Sequence, residues 1–326
     1  MTVKPLQTIG VLTSGGDSPG MNPCIRAVVR TALYHNLRVY GIREGYAGLI
    51  RGELLPMSAR DVSGIIQQGG TVLRTARSPE FQTKKGQREA IRQLNEVGVD
   101  GLVVIGGDGS LKGAHALAEQ GVQVVGVPGS IDNDIRGTSM SIGVDTALNT
   151  ILDAIDKVRD TASSHQRAFL IETMGRNCGY LAVTAGIIGG AEVVIIPEHE
   201  ITVEEVAREV EEAYLRGKAH CIIVVAEGAS IKSHELKTAL DAMDVGFDTR
   251  VIILGHIQRG GAPTAFDRLL ATRLGVHAVT ALIAGETDVM VALKGQDIVS
   301  VPLAEVISKS RVVNPEFFDM AHILAL

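Results

Sequence analysis

The stretch Gly101–Asp134, which reads GLVVIGGDGSLKGAHALAEQGVQVVGVPGSIDND, determines the fold that we predict for the chain. Two short runs rich in β-branched residues, Leu102–Ile105 and Val122–Val127, have the length and composition of strands buried on both faces. Between them, Ser110–Gln120 combines a polar start, apolar residues at helical spacing and a following glycine, which predicts a helix. The order strand, helix, strand indicates a parallel crossover unit and hence an α/β fold.

A glycine-rich polar turn follows each of these two strands, GGDGS at Gly106–Ser110 and GSIDND at Gly129–Asp134. Ligands of open α/β sheets bind at the carboxyl ends of the strands, and glycines let a polyanion approach backbone N–H groups at a helix start. Three aspartates there suit a divalent cation and a proton acceptor. Such turns also serve only to reverse the chain or cap a helix, but two at one sheet edge favour a binding site. Gly113 comes one residue too late for the glycine spacing of a dinucleotide-binding loop.

Composition limits the function classes. With 326 residues, the chain can form two domains with substantial cores, and 45% apolar residues with 37 glycines suit an α/β enzyme with tight loops. The formal net charge of −6 argues against nucleic-acid binding. Cys24, Cys178 and Cys221 are too widely spaced for a disulfide framework, which favours a reducing compartment.

Neither a signal peptide nor a membrane span is expected. The first residues, MTVKPLQTIG, lack an apolar core. The most apolar long stretch, Leu181–Pro197, contains Glu192 and three glycines. We therefore expect a cytoplasmic protein that does not interact with membranes.

The same pattern of strand, polar turn and helix recurs along the chain. Ile9–Thr13 leads into the glycine turn Ser14–Asn22, which lacks the Gly-Lys-Ser/Thr of a P-loop, and then into a helix with Arg26 and Arg30 side by side. Further strands are predicted at Val39–Ile42, Ala168–Thr173, Val193–Ile196, Cys221–Ala226, Val289–Leu293 and Ile298–Val301. Further helices are predicted at Ile142–Thr161, Val203–Leu215 and residues 264–284.

Polar residues also follow the strands of the second half. They include Met174-Gly175-Arg176, Glu227-Gly228 and, after the run Arg250–Leu254, the stretch Gly255–Gly261. A lone histidine such as His256 is more often structural than catalytic. Its position between Arg250 and Arg259 in a glycine-rich stretch is typical of a clamp for a phosphate or a sugar phosphate. No spacing of His, Cys or Glu indicates zinc.

Taken together, six motifs resemble those of the bacterial-type ATP-dependent 6-phosphofructokinases, in the order of that family and over nearly the whole chain. GGDG alone is shared with NAD kinases and diacylglycerol-kinase-like enzymes, whereas the full set is specific. The motifs are GGDSPGMN at Gly15–Asn22, GGDGS at Gly106–Ser110, PGSIDND at Pro128–Asp134, SHQR at Ser164–Arg167, MGR at Met174–Arg176, and GHIQRGG at Gly255–Gly261 with Asp267-Arg268.

The resemblance implies transfer of the ATP γ-phosphoryl group to the 1-hydroxyl of fructose 6-phosphate, with Mg²⁺ as the cofactor. Asp132 is the expected base that takes the hydroxyl proton, and Asp108 is expected to hold the metal. Ser130 stands where threonine is frequent, and its hydroxyl should keep the same hydrogen bond. The implied catalytic set is Asp132, Arg77, Arg176, Ser130 and Asp134.

The implied nucleotide site consists of Gly15, Tyr46, Arg77, Gly107, Asp108, Gly109 and Ser110. Relatives that use pyrophosphate generally carry a bulkier residue, typically Asp, at the position of Gly109 and Lys at that of Gly129, so the two glycines imply ATP. The implied sugar-phosphate site consists of Ser130, Asp132, Arg167, Met174, Gly175, Arg176, Glu227, Arg250, His256 and Arg259. Within the family, Arg167 and Arg250 reach this site from the neighbouring subunit of a homotetramer.

The implied fold has two similar lobes, each a mostly parallel sheet between helices, with the active site in the cleft. The nucleotide-binding lobe would comprise residues 1–143 and about 258–308, and the sugar-phosphate-binding lobe residues 144–257 and about 309–326. The alternatives are another GGDG-type kinase, acting on NAD or lipid, and a non-catalytic sugar-phosphate sensor. The first leaves Asp132–Asp134 and the His256–Arg259 clamp unexplained, and the second has no need for Asp132 and Asp108 together.

The resemblance also implies a second anion site, which binds an allosteric effector. Its matching residues are Arg26, Arg30, Arg159, Glu192, Arg216 and Lys218. An arginine and an aspartate that usually complete the site correspond to Ala59 and Gly64. Neighbouring Arg60 should point elsewhere if Asp61–Gln67 is helical.

We predict weakened or altered effector binding, because a lost charge-assisted hydrogen bond is worth about 1.5–3 kcal/mol, or roughly one to two decades of affinity. Titration of phosphoenolpyruvate and ADP against activity at sub-saturating fructose 6-phosphate measures the effect. Strong inhibition by micromolar phosphoenolpyruvate, relieved by ADP, would contradict this prediction.

Overall fold

The structure, a computed structural model, describes residues 6–325. Its strands, numbered along the chain, are β1 (Thr8–Ser14), β2 (Arg38–Ile42), β3 (Leu54–Pro56), β4 (Gly101–Gly106), β5 (Gln123–Pro128), β6 (Arg167–Thr173), β7 (Val193–Ile195), β8 (Cys221–Ala226), β9 (Asp248–Ile253), β10 (Val289–Lys294) and β11 (Asp297–Pro302). The α-helices are α1 (Met21–Tyr34), α2 (Gly45–Arg51), α3 (Lys84–Val97), α4 (Asp108–Ala118), α5 (Val144–His165), α6 (Tyr180–Gly189), α7 (Val203–Leu215), α8 (Ser233–Met243), α9 (Ala265–Ile283), α10 (Leu303–Val306) and α11 (Pro315–Leu324). Two 3₁₀ turns lie at Glu80–Gln82 and Gly255–Arg259.

The first of two compact units comprises residues 6–131, Ile135–Asp145 and Arg259–Ser310. It carries a seven-stranded sheet in the order β11-β10-β5-β4-β1-β2-β3, in which only the edge strands β3 and β11 are antiparallel to their neighbours. Side chains on one face, such as Val11 and Val103, join a core with α1 and α9. The opposite face packs on α4 and its neighbours. Burial on both faces explains why these strands are continuous apolar runs.

The second unit comprises Asp132–Asp134, Thr146–Gln258 and residues 311–325. Its four strands are all parallel, in the order β7-β8-β6-β9. Leu170 of β6 and Ile223 of β8 lie in a core with Val210 of α7 and Leu236 of α8. The predicted α/β class, with mostly parallel sheets between helices, is confirmed.

Several element boundaries differ from the predicted ones. Helix α4 begins at Asp108, two residues before the predicted start. Helix α5 begins only at Val144, because Gly143 has a φ of +104° and Ile142 forms a β-bridge with Gly129. The segment Asp61–Gln67 forms successive turns instead of a helix, with Gly64 at a φ of +69°.

The predicted lobe boundaries lie at residues 143, 258 and 308. The two compact units of the structure have boundaries at Asp145, Gln258 and Ser310. The short Asp132–Asp134 segment groups with the second unit, which was not expected. The assignment of nucleotide and sugar phosphate to separate units stays a prediction. Within residues 6–325, no helix is both long and apolar enough to cross a membrane.

Candidate active site

In the first unit, three polar loops follow the neighbouring parallel strands β1, β4 and β5. The ends of two of these strands are joined directly, because the Gly129 N–H donates a hydrogen bond to the Gly106 carbonyl at 3.0 Å. The Ser130 N–H continues this chain of contacts by donating to the Ile142 carbonyl at 3.2 Å. The predicted Gly107, Ser130 and Gly15 loops therefore share one sheet edge.

Backbones approach closely at this edge. A Cβ atom on Gly106 would lie 2.4 Å from the Ser14 carbonyl oxygen and 2.6 Å from the Ser110 Oγ, so only glycine fits. Gly15 has a φ of +86°, in the region that favours glycine. The side chain of Ser110 is 3% exposed and packs between these glycines, which identifies it as a spacer for the backbone around it.

The start of α4 offers a place for an anion. Gly107 is the N-cap residue, and the first N–H groups of a helix lack intrahelical acceptors and lie at the positive end of its dipole. No atom lies within 4 Å of the position that a Cβ on Gly109 would take, so this part of the loop is open. The Asp108 Oδ2 lies 2.7 Å from Lys112 Nζ, one turn further along the helix.

The residues of this loop fit a magnesium ion that is shared with a nucleotide. No group of three or more His, Cys, Asp or Glu side chains that could hold a metal occurs among residues 6–325. Mg²⁺ typically keeps several waters and is held by one or two carboxylates together with substrate phosphates. The single carboxylate of Asp108 beside an open glycine loop is consistent with that mode of binding.

The loop that carries Arg77 is anchored to the end of β1. Thr13 Oγ1 donates to the Arg74 carbonyl at 2.9 Å, and Thr75 Oγ1 donates to the Gly15 carbonyl at 2.7 Å. Buried Asn22 holds the preceding turn, because its amide accepts a hydrogen bond from the Val72 N–H at 2.8 Å. Arg77 itself is exposed at the end of this tethered segment.

Arg259 also belongs to the first unit. A Cβ on Gly16 would lie 2.4 Å from Arg259 Nη1, so the guanidinium group packs directly on the glycine loop after β1. The structure thus places this arginine beside the loop predicted to bind the nucleotide, a contact that the sequence analysis did not anticipate.

Tyr46 has a packing role in the structure. Its side chain is 5% exposed, its hydroxyl donates to the Ser110 carbonyl at 2.7 Å, and its ring stacks on Phe81 with centroids 3.9 Å apart. Burial raises the pKa of the phenol, so the hydroxyl stays protonated and can donate. Direct contact of Tyr46 with a nucleotide stays a prediction.

In the second unit, Asp132 forms an ion pair with Arg176. The carboxylate belongs to a residue that is 3% exposed, and its Oδ2 lies 3.2 Å from Arg176 Nε. The neighbouring Asn133 has a φ of +51°, which turns the chain sharply after Asp132. The backbone carbonyl of Asp134 accepts a hydrogen bond from the Arg311 N–H at 2.9 Å. Two predicted catalytic side chains are thereby brought together.

Glu227 fixes the backbone of the loop Met174–Arg176. One carboxylate oxygen, Oε1, accepts hydrogen bonds from the N–H groups of Gly175 and Arg176, at 3.2 and 2.8 Å. Gly175 has a φ of +140° and Arg176 one of +52°. Glu227 therefore orients this loop, in addition to any contact with a substrate.

Arg167 and Arg250 lie on neighbouring strands and share one counter-ion, Asp248. The Arg167 Nε lies 3.3 Å from Asp248 Oδ2, and Arg250 Nη1 pairs with the other carboxylate oxygen. The parallel register of β6 and β9 sets Arg167 opposite Asp248. Asp248 was not among the predicted site residues. His256 is exposed on the 3₁₀ turn Gly255–Arg259.

The predicted effector residues divide between the two units. Arg26 and Arg30 lie on α1 in the first unit. In the second, Glu192 accepts hydrogen bonds from the Ile222 N–H at 2.7 Å and from Lys218 Nζ at 3.3 Å. Arg159 donates to the Gly190 carbonyl at 3.1 Å, and Arg216 lies 3.8 Å from Glu212. These cations therefore also neutralise helix ends and carboxylates within the chain.

The three cysteines are free thiols and all are buried. Burial raises the pKa of each thiol, to about 11 for Cys178. At neutral pH they are protonated, and covalent catalysis by cysteine is therefore disfavoured.

Comparison with known proteins identifies the family. Residues 8–282 match the phosphofructokinase family. The chain is 51% identical over 321 residues to an ATP-dependent 6-phosphofructokinase of Thermotoga neapolitana, which covers 98% of this chain and 100% of that protein. It is 49% identical over 324 residues to the ATP-dependent 6-phosphofructokinase of Clostridioides difficile, with the same coverage. The chain belongs to the phosphofructokinase family.

The fold agrees with a solved structure of this family. The structure of Pichia pastoris phosphofructokinase in the T-state superimposes with a TM-score of 0.89 at 38% sequence identity. The match covers 94% of this chain and 36% of the longer yeast chain.

The Tyr46→Phe variant separates packing from nucleotide contact. Phenylalanine keeps the stack on Phe81 but loses the hydrogen bond to Ser110, so we expect the free energy of unfolding to fall by about 1 kcal/mol. The KM for ATP should change by less than about twofold, because the hydroxyl faces the protein interior. The exposed Tyr34→Phe is the matched control for stability and kinetics. A tenfold rise in the KM for ATP with unchanged stability would mean that the hydroxyl meets the nucleotide.

Proposed function

We propose that the protein transfers the γ-phosphoryl group of ATP to the 1-hydroxyl of fructose 6-phosphate and thereby produces fructose 1,6-bisphosphate. The observation that carries this proposal is the buried Asp132 carboxylate in an ion pair with Arg176, in a chain of this family. A buried carboxylate can accept the hydroxyl proton, and an adjacent arginine can offset the negative charge of the transferred phosphoryl group. The relatives named above support the same reaction.

The first unit is proposed to bind ATP. Its phosphates would lie on the open loop Gly107–Ser110, at the start of α4, with Gly15 and Arg77 on the neighbouring loops. The loop glycines let phosphate oxygens approach the N–H groups, and the helix dipole favours their negative charge. Tyr46 holds this loop in place, because its hydroxyl donates a hydrogen bond to the Ser110 carbonyl.

Asp108 is proposed to contribute the protein ligand for Mg²⁺. The bound ion would supply charge neutralisation on the phosphates, which is a large part of catalysis in phosphoryl transfer. In the structure, Lys112 Nζ lies 2.7 Å from the Asp108 carboxylate and compensates its negative charge.

The chemical step is proposed to use Asp132 as general base. Its carboxylate takes the proton of the sugar 1-hydroxyl as that oxygen attacks the γ-phosphorus, while the bond from the γ-phosphorus to the β–γ bridging oxygen breaks and ADP leaves. Ser130 and Asp134 belong to the same segment. Phosphoryl transfer requires little covalent work from the protein, so positioning and charge neutralisation by Arg77 and Arg176 make up the rest.

The sugar phosphate is proposed to contact Met174, Gly175, Arg176, Glu227, His256 and Arg259. Arg167 and Arg250, by their resemblance to family members, would serve the neighbouring subunit of a homotetramer. Their shared pairing with Asp248 keeps two cations oriented together on one strand pair. Arginine suits such a role, because its planar guanidinium group binds phosphate with two hydrogen bonds.

The proposed reaction is the committed step of glycolysis, and a cytoplasmic location follows from that role. Binding of an effector to Arg26, Arg30, Arg159, Glu192, Arg216 and Lys218 is part of the proposal. The proposed effector site lacks the arginine and the aspartate that usually complete it. Ala59 and Gly64 stand at those positions, in a segment that forms turns.

The proposal is tested by incubating the protein with ATP, Mg²⁺ and fructose 6-phosphate and measuring ADP and fructose 1,6-bisphosphate. NAD and a diacylglycerol serve as alternative acceptors in parallel. Turnover of either in preference to fructose 6-phosphate would favour the other GGDG-type kinases. Binding of fructose 6-phosphate without turnover would favour a sensor.

Asp132→Asn should lower kcat by about 10²–10⁴-fold, because loss of a general base acts on the transition state. Steady-state kinetics at saturating substrates measure the loss. The exposed Asp153→Asn, on α5 in the same unit, is the control. Retention of most of the kcat by Asp132→Asn would remove Asp132 from the role of base.

ATP should support turnover better than pyrophosphate, because Gly109 leaves open space and adds no charge at the nucleotide loop. Gly109→Asp should lower activity with ATP by placing a carboxylate beside the phosphates, whereas Gly109→Ala adds only a methyl group and should lower it less. Initial rates with each donor test this. Faster turnover of wild-type protein with pyrophosphate would show the prediction to be wrong.

Subunits should complement each other if the site is shared. Asp132→Asn and Arg250→Ala are each expected to be nearly inactive, and a mixture after subunit exchange should regain activity through hybrid sites. Each variant mixed with itself is the control. Demonstrated exchange without any recovery would contradict a shared site.

A further inference from the structure

Three consecutive backbone N–H groups in the second unit are bound by side chains from elsewhere in the chain. Glu227 accepts from Gly175 and Arg176, as described above. The third N–H group, that of Met174, donates to Oε1 of Gln258 at 3.2 Å. Gln258 lies in the motif GHIQRGG at Gly255–Gly261, between His256 and Arg259.

Gln258 uses both ends of its amide. Its Nε2 donates to the Gly255 carbonyl at 3.0 Å, while Oε1 holds Met174. The residue is 0% exposed, although its neighbours His256 and Ile257 are exposed. One buried side chain therefore ties the loop after β6 to the turn that carries His256.

The loop needs such support because its backbone is strained. Arg176 has a left-handed φ of +52°, a conformation that is unfavourable in a residue other than glycine. A Cβ on Gly228 would lie 1.8 Å from the Arg176 carbonyl oxygen, so the backbone there also has no room to shift towards Gly228. Side-chain hydrogen bonds at the start of the loop fix where Arg176 emerges.

We propose that Gln258 is a positioning residue for the sugar phosphate. It keeps the Met174–Arg176 loop and the His256 turn in one fixed arrangement, so that both present their side chains to the same ligand. This inference rests on the proposed function of these two segments. A purely structural glutamine would also satisfy buried polar groups, but its loss would lower stability without acting selectively on one substrate.

The test compares Gln258→Met with Gln123→Met. Methionine has a similar length but forms neither hydrogen bond. Gln123 is a matched control, because its Nε2 donates to the Leu282 carbonyl at 2.9 Å at the start of β5, in the first unit. We expect Gln258→Met to raise the KM for fructose 6-phosphate about tenfold, since a buried N–H group is left unpaired, and to change the KM for ATP by less than about twofold. Gln123→Met should change neither constant.

In the Gln258→Glu variant, the two hydrogen bonds of Gln258 should be restored at low pH and lost at high pH. Burial raises the pKa of a carboxyl group at this enclosed position, so lowering the pH protonates the glutamic acid, which can then both accept from Met174 and donate to Gly255. Near about pH 9 it is ionised, loses its donor and repels the Gly255 carbonyl. The KM for fructose 6-phosphate, taken as a ratio to wild type at each pH, should therefore rise with pH.

The outcomes are distinguishable. A KM for fructose 6-phosphate in Gln258→Met within about twofold of wild type, or an equal rise in Gln123→Met, overturns the inference alone. If Gln258→Met does not fold, the Gln258→Glu ratio decides, and a ratio that stays flat from acid to alkaline pH overturns the inference. Wild-type protein without turnover of fructose 6-phosphate overturns the proposed function, and this inference with it.

Discussion

The close approach of the backbones of β1 and β4, with the Ser110 side chain of α4 packed against them, is the constraint on which the first unit depends. At Gly106 there is room for neither a Cβ nor a shift, because the Ser14 carbonyl and the Ser110 hydroxyl already fill the space. The same crowding recurs at Gly45, where a Cβ would lie 2.7 Å from the Thr13 carbonyl. Helix α4 begins at Asp108, two residues after the end of β4 at Gly106, so its start lies directly beside this crowded strand end. The glycine loop proposed to bind phosphate thus takes its shape mainly from this close packing.

The second unit positions its loops by a different physical means. The end of β6 is followed by backbone with positive φ at Gly175 and Arg176, whose N–H groups are bound by Glu227, and the N–H group of Met174 is bound by Gln258. Side-chain acceptors from distant parts of the chain thus replace the direct contact between backbones. This arrangement places charged side chains accurately, whereas the first unit places bare N–H groups.

The parallel strands could be predicted because strands buried on both faces are continuous apolar runs with β-branched residues. Helix α3 gave a weak signal, since its buried positions include Gly86 and Gln87 beside Ala90 and Leu94. Helix α6 is apolar on nearly every side, so its periodicity does not distinguish it from a strand.

The positions of the polar loops after β4 and β5 could be predicted from the sequence, because each loop lies within one motif, as at Gly106–Ser110. Contacts between motifs could not. The packing of Arg259 on Gly16 and the pairing of Arg167 with Asp248 join positions far apart in the chain, and nothing in the local pattern encodes them. The turn conformation of Asp61–Gln67 was missed for a related reason, because Gly64 at positive φ interrupts a sequence that could otherwise be helical.

Because all three cysteines are buried, thiol reagents do not reach them in the native protein. Maleimides and disulfide exchangers can reach Cys24, Cys178 and Cys221 only when the surrounding core opens, so their rate of labelling reports the opening of each region. Cys24 lies on a helix of the first unit and Cys221 on a strand of the second. The chain thus carries an intrinsic reporter in each unit. A single cysteine introduced on its surface would accept a fluorophore with little background from the native thiols.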